Sequence, residues 1–199
     1  MDAVPSTPAT SAKYKKRKRP FVSYTIYAFS MEEIDRLLVS CVNTADHLLI
    51  LLGYRYGFRR EDIVKLKWAN LDMDRFTLTY HEQKKNRDRT IPIEQDVMAE
   101  LIRYKSSITK RPYIFPFQDG SSAWLHLQDI CHAAGIQVPQ GRTGRPFHSL
   151  RGTCVKYRQS LGWNVNQCAA LLGDEPETII KHYATVNNNE LSELMGIKT

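Results

Sequence analysis

The sequence has little that would suit a membrane or an oxidising compartment. Its longest purely aliphatic run spans only residues 48–52, whereas a membrane-spanning helix needs about 20 apolar residues. The N-terminus is polar and basic with no apolar segment behind it, which is not the pattern of a targeting peptide. The four cysteines, at positions 41, 131, 154 and 168, form no close pair, so the spacing of a disulfide framework or a zinc site is absent. We therefore expect a soluble domain of about 170 residues plus tails, in a reducing compartment.

Acidic residues are missing from one long segment. No aspartate or glutamate occurs between Ile130 and Gly173. Five cations lie there: Arg142, Arg145, Arg151, Lys156 and Arg158. Charge of one sign is typical of a site for a polyanion. A histidine, His148, stands three residues before Arg151, and Tyr183 closes a later helical segment.

The net charge of +7 is concentrated at the N-terminus. Residues 1–19 hold six cations and one acid, so the other 180 residues carry only +2. Residues 1–22 are rich in proline, serine, threonine and lysine, which predicts a basic disordered tail or linker. Besides a solvated tail, two interpretations stay open: an arm that follows a phosphate backbone, and a nuclear localisation signal. The phosphate contacts of such an arm would come from Lys15, Lys16, Arg17 and Lys18.

The order of periodic segments predicts a mainly helical α+β domain over residues 23–186. Ser30 and Glu33 form a capping box for a helix that reaches about Val39. The helix from Thr44 to Gly57 is apolar nearly all round, which places it in the middle of the domain. Two segments of strand composition flank a polar turn and predict a small β-sheet or hairpin at one edge of the fold. These strands are predicted at 75–80 and 89–93.

Helical spacing predicts several further helices. They lie at 58–68, 94–104, 121–134, from 148 onward, at 165–172 and at 176–183. Leu191, Leu194 and Met195 make an apolar stripe on a last short helix. Residues 187–199 are therefore expected to form a C-terminal helical tail that packs against a neighbouring protomer.

Four short motifs stand in order along the chain. They are GFRREDIVKLKWANLD (57–72), QKKNRDRTIPI (83–93), HSLRGT (148–153) and LLGDEPETIIKHY (171–183). Together they resemble the catalytic domain of the tyrosine recombinases, the phage integrase family, over about residues 28–187. A single His-x-x-Arg motif is a weak signal, whereas four motifs in the right order and at consistent separations are specific.

The resemblance implies a set of site residues. Arg59 corresponds to the arginine of the first motif, and Lys84 to the lysine of the hairpin, with Lys85 as the weaker candidate. His148 and Arg151 correspond to the His-x-x-Arg box. Tyr183 corresponds to the nucleophile, and Asp174 stands where the family usually has histidine or tryptophan.

The implied chemistry suits these residue types. Two arginines, Arg59 and Arg151, would bind the non-bridging oxygens of a DNA phosphodiester and stay charged at any working pH. Tyr183 would attack the phosphorus to give a 3′-phosphotyrosyl intermediate, with His148 as general base or hydrogen-bond partner and Lys84 as general acid. No cofactor and no metal is implied. Taken one by one, each residue also has a purely structural interpretation. The arginines could be surface cations and Lys84 part of a solvated hairpin tip. His148 could be a hydrogen-bonding residue at a helix N-terminus, and Tyr183 a core or surface tyrosine.

Two departures from the family pattern are visible. An ionised aspartate accepts but does not donate a hydrogen bond, so Asp174 either orients an arginine or histidine, has a raised pKa, or lowers the activity. Most family members also carry an N-terminal helical domain, in whose place this sequence has only its basic tail. The sequence is accordingly expected to be a fragment that begins in the interdomain linker, or a minimal recombinase.

The function expected from the resemblance is that of a site-specific recombinase or integrase. A non-catalytic DNA-binding protein of the same fold and a type IB topoisomerase-like enzyme are the alternatives. The expected partners are double-stranded DNA and two to four copies of the chain on it, in the cytoplasm with the nucleoid, or in the host nucleus of a eukaryote. Beyond the tail, the DNA contacts are expected from Arg60, Lys85, Arg87, Arg142 and Arg145.

Overall fold

The computed structural model describes residues 26–139, 145–183 and 195–196. The first half has helices α1 (Met31–Val39), α2 (Thr44–Tyr56) and α3 (Arg60–Ile63), a 3-10 helix (Trp68–Asn70), and strands β1 (Leu71–Asp72), β2 (Thr77–Glu82) and β3 (Arg87–Pro92). The second half has helices α4 (Gln95–Ser107), α5 (Gly120–Ala133), α6 (Pro146–Ser160), α7 (Val165–Leu172) and α8 (Pro176–His182). This is the mainly helical α+β class that the sequence predicts.

Helix α2 is the centre of the apolar core, as predicted. Asn43 caps its first turn by accepting a hydrogen bond from the amide of Asp46. The helix packs against α1, α4 and α6. It ends at Gly57, whose φ of 64° lies in the left-handed region that favours glycine. Its fully buried side chains are Leu48, Leu49, Ile50 and Leu52.

The third helix is shorter than predicted. Helix α3 ends at Ile63, and Trp68 begins a separate 3-10 helix instead of lying near the end of α3. The chain between them is held elsewhere: the Ile114 amide donates to the Leu66 carbonyl at 2.8 Å, and the Trp68 amide donates to Pro112 at 3.1 Å. These long-range hydrogen bonds replace the helical ones, which a local pattern cannot reveal.

The three strands form one antiparallel sheet in the order β1-β2-β3. The predicted hairpin is present, but its strands reach further into the polar stretch than predicted: Glu82 pairs with Arg87, so the turn is only 83–86. The polar residues of the ladder pair with each other across the strands, as His81 and Asp88 do at 2.8 Å. The strand composition of a single segment does not reveal such cross-strand pairs, and the strands were therefore predicted too short. The two-residue β1 was not predicted.

A second apolar cluster joins the last three helices. Cys154 and Val155 of α6 pack with Leu172 of α7 and Ile179 of α8, and Ile26 joins them from the N-terminal side. The Ile26 amide also donates to the His182 carbonyl at 3.1 Å. The chain ahead of α1 therefore contacts the end of α8 directly.

Several expectations lie outside the described residues. They concern the tail at 1–22, the loop residue Arg142, and the apolar residues Leu191 and Leu194 of the expected C-terminal helix; Met195 and Gly196 lie in a turn. Among the residues that the structure describes, no helix is long and apolar enough to cross a membrane.

The close approach of α2 to α6 at Gly53 gives a stability prediction. A Cβ atom there would lie 2.6 Å from Leu150 Cδ1 and 3.3 Å from its Cβ. We expect Gly53→Val to lower the free energy of unfolding by about 1–3 kcal/mol through overpacking, although valine is the better helix former. Urea denaturation measures the change.

A double variant is the control for this prediction. Leu150→Ala removes the obstructing methyl groups, so Gly53→Val combined with Leu150→Ala should cost less than the sum of the two single changes. Additive costs would contradict the steric explanation.

Candidate active site

Arg59 is positioned by the sharp end of α2. Gly57 reverses the backbone, and Arg59 then takes the N-cap position of α3 in an extended conformation. Its side chain is only 18% exposed, so it is not the ordinary surface arginine left open by the sequence. Its Nη2 donates to Asp174 Oδ1 at 2.5 Å, and its Nη1 donates to the carboxylate of Glu82.

Arg151 projects from α6 into the protein and is 5% exposed. Its Nη1 donates to the carbonyl of Gly57. Its Nη2 donates to the carbonyl of Leu172 at 2.9 Å and to Asp174 Oδ2 at 2.6 Å. The two carbonyls belong to the C-terminal ends of α2 and α7, where the helix leaves carbonyl groups without helical partners and carries partial negative charge. Arg151 therefore ties α2, α6 and α7 together.

Asp174 joins the two arginines, which are hereafter called the arginine pair. One carboxylate oxygen accepts from Arg59 and the other from Arg151. Burial raises the pKa of Asp174, but the charges of Arg151 and Arg59 outweigh that effect and the pKa is lowered overall. The explanation in which Asp174 has a raised pKa is therefore wrong. Asp174 is an ionised acceptor that contacts both arginines.

Glu82 is a second carboxylate at the site, and the sequence did not suggest it. It is the last residue of β2, its side chain is fully buried, and it accepts from Arg59 and from Arg87 Nε, the latter at 2.9 Å. Burial opposes its ionisation, but the hydrogen bonds from Arg87 and Arg59 lower its pKa overall. The alternation of buried positions Leu78, Tyr80 and Glu82 along the strand was the available signal, and it was obscured because 81–88 was assigned to a turn.

His148 and Lys84 line the same cleft beside the arginine pair. The cleft has a volume of about 1660 Å³ and is also lined by Arg59 and Arg145. The His148 side chain is exposed to it. Although the ring is open to the cleft, the surrounding protein partly desolvates it, and this effect, followed by the charges of Arg145 and Arg151, lowers the pKa of His148 to about 4. The imidazole is therefore neutral at neutral pH.

Tyr183 lies at the end of α8 beside the arginine pair and is 6% exposed. A side chain atom at Gly152 of α6 would contact its ring. Burial raises the pKa of the Tyr183 hydroxyl, and Asp174 raises it further, while the charges of Arg151 and Arg59 lower it. The net shift is upward, so the phenol is protonated in the free protein.

The two lysines of the hairpin turn point to different places. Lys84 faces the cleft with His148. Lys85 Nζ instead donates to the carbonyl of Gly173 at 2.7 Å and lies 3.9 Å from Glu175. The geometry thus favours Lys84 over Lys85 as the residue that faces a substrate in the cleft.

The residues expected to contact DNA are scattered. Arg60 lines the cleft and pairs with Glu61 at 2.8 Å. Arg145 is exposed at the start of α6, whereas Arg87 is paired with Glu82. Lys15, Lys16, Arg17, Lys18 and Arg142 lie outside the described residues.

The acid-free segment is not one continuous basic surface. Arg158 is buried and donates to Glu94 at 2.9 Å and to the Arg55 carbonyl at 2.8 Å. Its assignment to a polyanion site is wrong, because an acid distant in sequence neutralises it. Among the residues that the structure describes, no group of three or more His, Cys, Asp or Glu side chains could hold a metal ion.

Most of the chain matches one known protein family. Residues 27–190 match the model of the phage integrase family, so the chain belongs to that family. The tyrosine recombinase XerA of Pyrococcus furiosus is 25% identical over 191 residues, which cover 90% of this chain and 64% of that protein. The chain therefore spans less than two thirds of the length of this relative.

Solved structures share the fold. A XerA recombinase matches with a TM-score of 0.72 at 21% identity, over 87% of this chain and 65% of that one. The catalytic domain of bacteriophage HP1 integrase matches with a TM-score of 0.64 at 20% identity, over 87% of this chain and 95% of that one. A lambda integrase dimer bound to a COC′ core site matches with a TM-score of 0.64 at 15% identity, over 84% and 64% of the two chains.

The buried position of Glu82 generates a prediction about stability and pH. We expect Glu82→Gln to lower the free energy of unfolding at pH 7 by about 1.5–3 kcal/mol, since Arg59 and Arg87 lose a charged acceptor. The folded-state pKa of Glu82 is lowered. Its carboxylate therefore stabilises the fold above the unfolded pKa of about 4.3 and loses that effect as the pH falls through the folded pKa.

Urea denaturation at a series of pH values measures this. The difference between the original chain and Glu82→Gln should shrink below about pH 4. Glu32→Gln, at an exposed position in the first turn of α1, is the control and should change stability by no more than about 0.5 kcal/mol. A difference that stays constant down to pH 2 would contradict the assigned charge of Glu82.

Proposed function

We propose that the chain is the DNA-cutting and rejoining part of a site-specific recombinase or integrase. The observation that carries this proposal is the convergence of Arg59 and Arg151 on one anion, Asp174. The nucleophile candidate Tyr183 lies beside this arginine pair, and His148 and Lys84 line the adjoining cleft. Family membership supports the same assignment.

The arginine pair would supply the positive charge that the reaction needs. A phosphodiester repels nucleophiles because its oxygens are anionic, and charge accumulates on those oxygens as the nucleophile attacks. Guanidinium groups fit two non-bridging oxygens and remain charged at any working pH. Because their other partners are backbone carbonyls and buried carboxylates, the two groups would need little rearrangement in the transition state.

The remaining side chains would move the protons. The Tyr183 oxygen forms a bond to phosphorus while its proton passes to His148, whose low pKa keeps the imidazole neutral and able to accept. The bond from phosphorus to the 5′ oxygen breaks, its electron pair leaves with that oxygen, and Lys84 protonates the oxygen. The 3′ phosphate stays attached to Tyr183, and the reverse steps rejoin a strand. In this scheme no metal or cofactor takes part.

The proposed partners are double-stranded DNA and further copies of the chain. The lambda integrase relative is a dimer bound to a core DNA site, and XerA is named a recombinase. Rejoining strands from two duplexes requires several active sites on one assembly, so a dimer to tetramer on DNA is proposed. The protein would then be found with the DNA of its host, in the nucleoid or the nucleus.

A second candidate is a DNA-binding protein of the same fold that does not cut. One observation favours it: the arginine pair already holds a carboxylate, Asp174, which brings negative charge to the position where a phosphate would bind. Such a protein would bind duplex DNA with an affinity that falls steeply with salt, and would form no covalent product.

A covalent-adduct assay separates the two candidates. On a duplex with a nick close to the cleavage position, the short 3′-terminal fragment diffuses away and traps the phosphotyrosyl intermediate. The substrate is a pool of nicked duplexes of random sequence, so that no particular target sequence is assumed. We expect a protein–DNA adduct that is resistant to denaturation, and its loss to below 1 part in about 10³ in Tyr183→Phe, which lacks the nucleophile.

Tyr113→Phe is the matched control, since Tyr113 is exposed and distant in sequence from the proposed site. It should form the adduct as the original chain does. No adduct with the original chain, or an equal adduct with Tyr183→Phe, would refute the cutting activity.

A further inference from the structure

We propose that Asp174 acts as an internal competitor of the DNA phosphate: its carboxylate occupies the arginine pair in the free protein, and a phosphate must displace it. This inference deepens the proposed function and rests on it. It makes Asp174 the residue that sets how readily the site accepts a substrate, in addition to any effect on the orientation of Arg59 and Arg151.

The geometry of the contact is that of a ligand. Asp174 presents one oxygen to each arginine, at 2.5 Å to Arg59 and 2.6 Å to Arg151. A phosphodiester also presents two anionic oxygens to guanidinium groups, and carboxylates and phosphates form the same pairs with arginine. The two anions therefore compete for the same N–H groups.

The other partners of Arg151 leave the phosphate few alternatives. Its hydrogen bonds to Gly57 and Leu172 go to backbone carbonyls, which the helices hold in place. Among the described residues, the one carboxylate that forms an ion pair with Arg151 is that of Asp174. A phosphate that binds Nη2 of Arg151 therefore takes the place of Asp174, next to the Tyr183 hydroxyl, which also contacts Arg151.

The guanidinium groups at the centre of the site are already matched by carboxylates before any DNA arrives. Asp174, Glu82 and Asp62 lie within 4 Å of Arg59, Arg151 or Arg87, so three carboxylates face three guanidinium groups. A phosphate added beside Asp174 would place two anions on the same two guanidinium groups in a partly buried site, which is costly. Displacing Asp174 from the arginine pair towards solvent removes that cost.

The position of Asp174 in the chain permits its release. It follows Gly173, whose φ of 69° ends α7, and it precedes the N-cap of α8. The carboxylate keeps a small exposure of 10%, and Asp174 itself lies in the turn between the two helices. A side-chain rotation can therefore move it without disrupting a helix.

The consequence for binding is quantitative. An external anion binds only the molecules in which the arginine pair is free of Asp174. Its apparent affinity is therefore the affinity for the free pair multiplied by the fraction of molecules in that state. Replacing the carboxylate by a neutral group of the same shape removes the competitor. We expect Asp174→Asn to bind an external oxyanion about tenfold or more tightly, which corresponds to a pair that is free in about a tenth of the molecules.

Inorganic phosphate is the probe, and the thermal unfolding midpoint is the readout. All proteins carry Tyr183→Phe, so the result does not depend on cutting. In titrations with sodium phosphate, against sodium chloride of equal ionic strength, Asp174→Asn should gain thermal stability at phosphate concentrations about tenfold lower than the parent. Without phosphate it should be less stable, because the buried Arg151 has lost its counter-charge.

Two further variants make the test decisive. Asp174→His also removes the carboxylate and should show the same increase in phosphate affinity, so the measurement does not depend on the folding of Asp174→Asn alone. Asp35→Asn removes an exposed carboxylate from α1 and should behave as the parent does. If both variants at 174 respond to phosphate as the parent does, Asp174 is not a competitor. That result would leave the proposed function intact. Conversely, the absence of a covalent adduct would refute the proposed cutting activity but would not affect the phosphate titration.

Discussion

A permanently charged guanidinium inside the protein is the constraint on which the rest of the site depends. Arg151 cannot lose its proton, so the fold must surround it with acceptors. The ends of α2 and α7 supply two backbone carbonyls, and the turn before α8 supplies the carboxylate of Asp174. The packing of these helices on α6 is thus linked to the charge that the site presents. A change at Gly57, Leu172 or Asp174 would alter both stability and anion binding.

The second arginine depends on the first through shared acids. Arg59 stands at the opposite side of Asp174 and is also held by Glu82, which comes from the sheet. The hairpin therefore has two functions: it provides the buried carboxylate that fixes Arg59, and it carries Lys84 into the cleft. The same acids that order the arginines also neutralise them. The acids hold the arginines in place but also oppose the binding of a phosphate to them. The proposed release of Asp174 would remove this conflict.

The sequence predicted the helices well because their signals are local. The capping box at Ser30, the glycine that ends α2 and the apolar run that places α2 in the core all act within a few residues, and the structure contains each of them. The family resemblance also selected the residues that meet at the arginine pair. The pairing of Arg158 with Glu94 was not predictable, because it joins positions 64 residues apart. Glu82 was missed for a different reason: its strand was predicted to end before it, so the alternation that buries it was not recognised. The acid-free segment illustrates the limit: its charge is one-sided in sequence but compensated in space.

The central claim is that the arginine pair binds one anion at a time, Asp174 in the free protein and a DNA phosphate in the complex. The crystal structure of the Tyr183→Phe chain with a duplex that it binds tests this most directly. The account predicts a phosphate oxygen within hydrogen-bonding distance of both Arg59 and Arg151, about 2.7–2.9 Å, and an Asp174 carboxylate that no longer contacts either arginine. A complex in which Asp174 still accepts from both arginines, with the phosphate bound elsewhere, would contradict it.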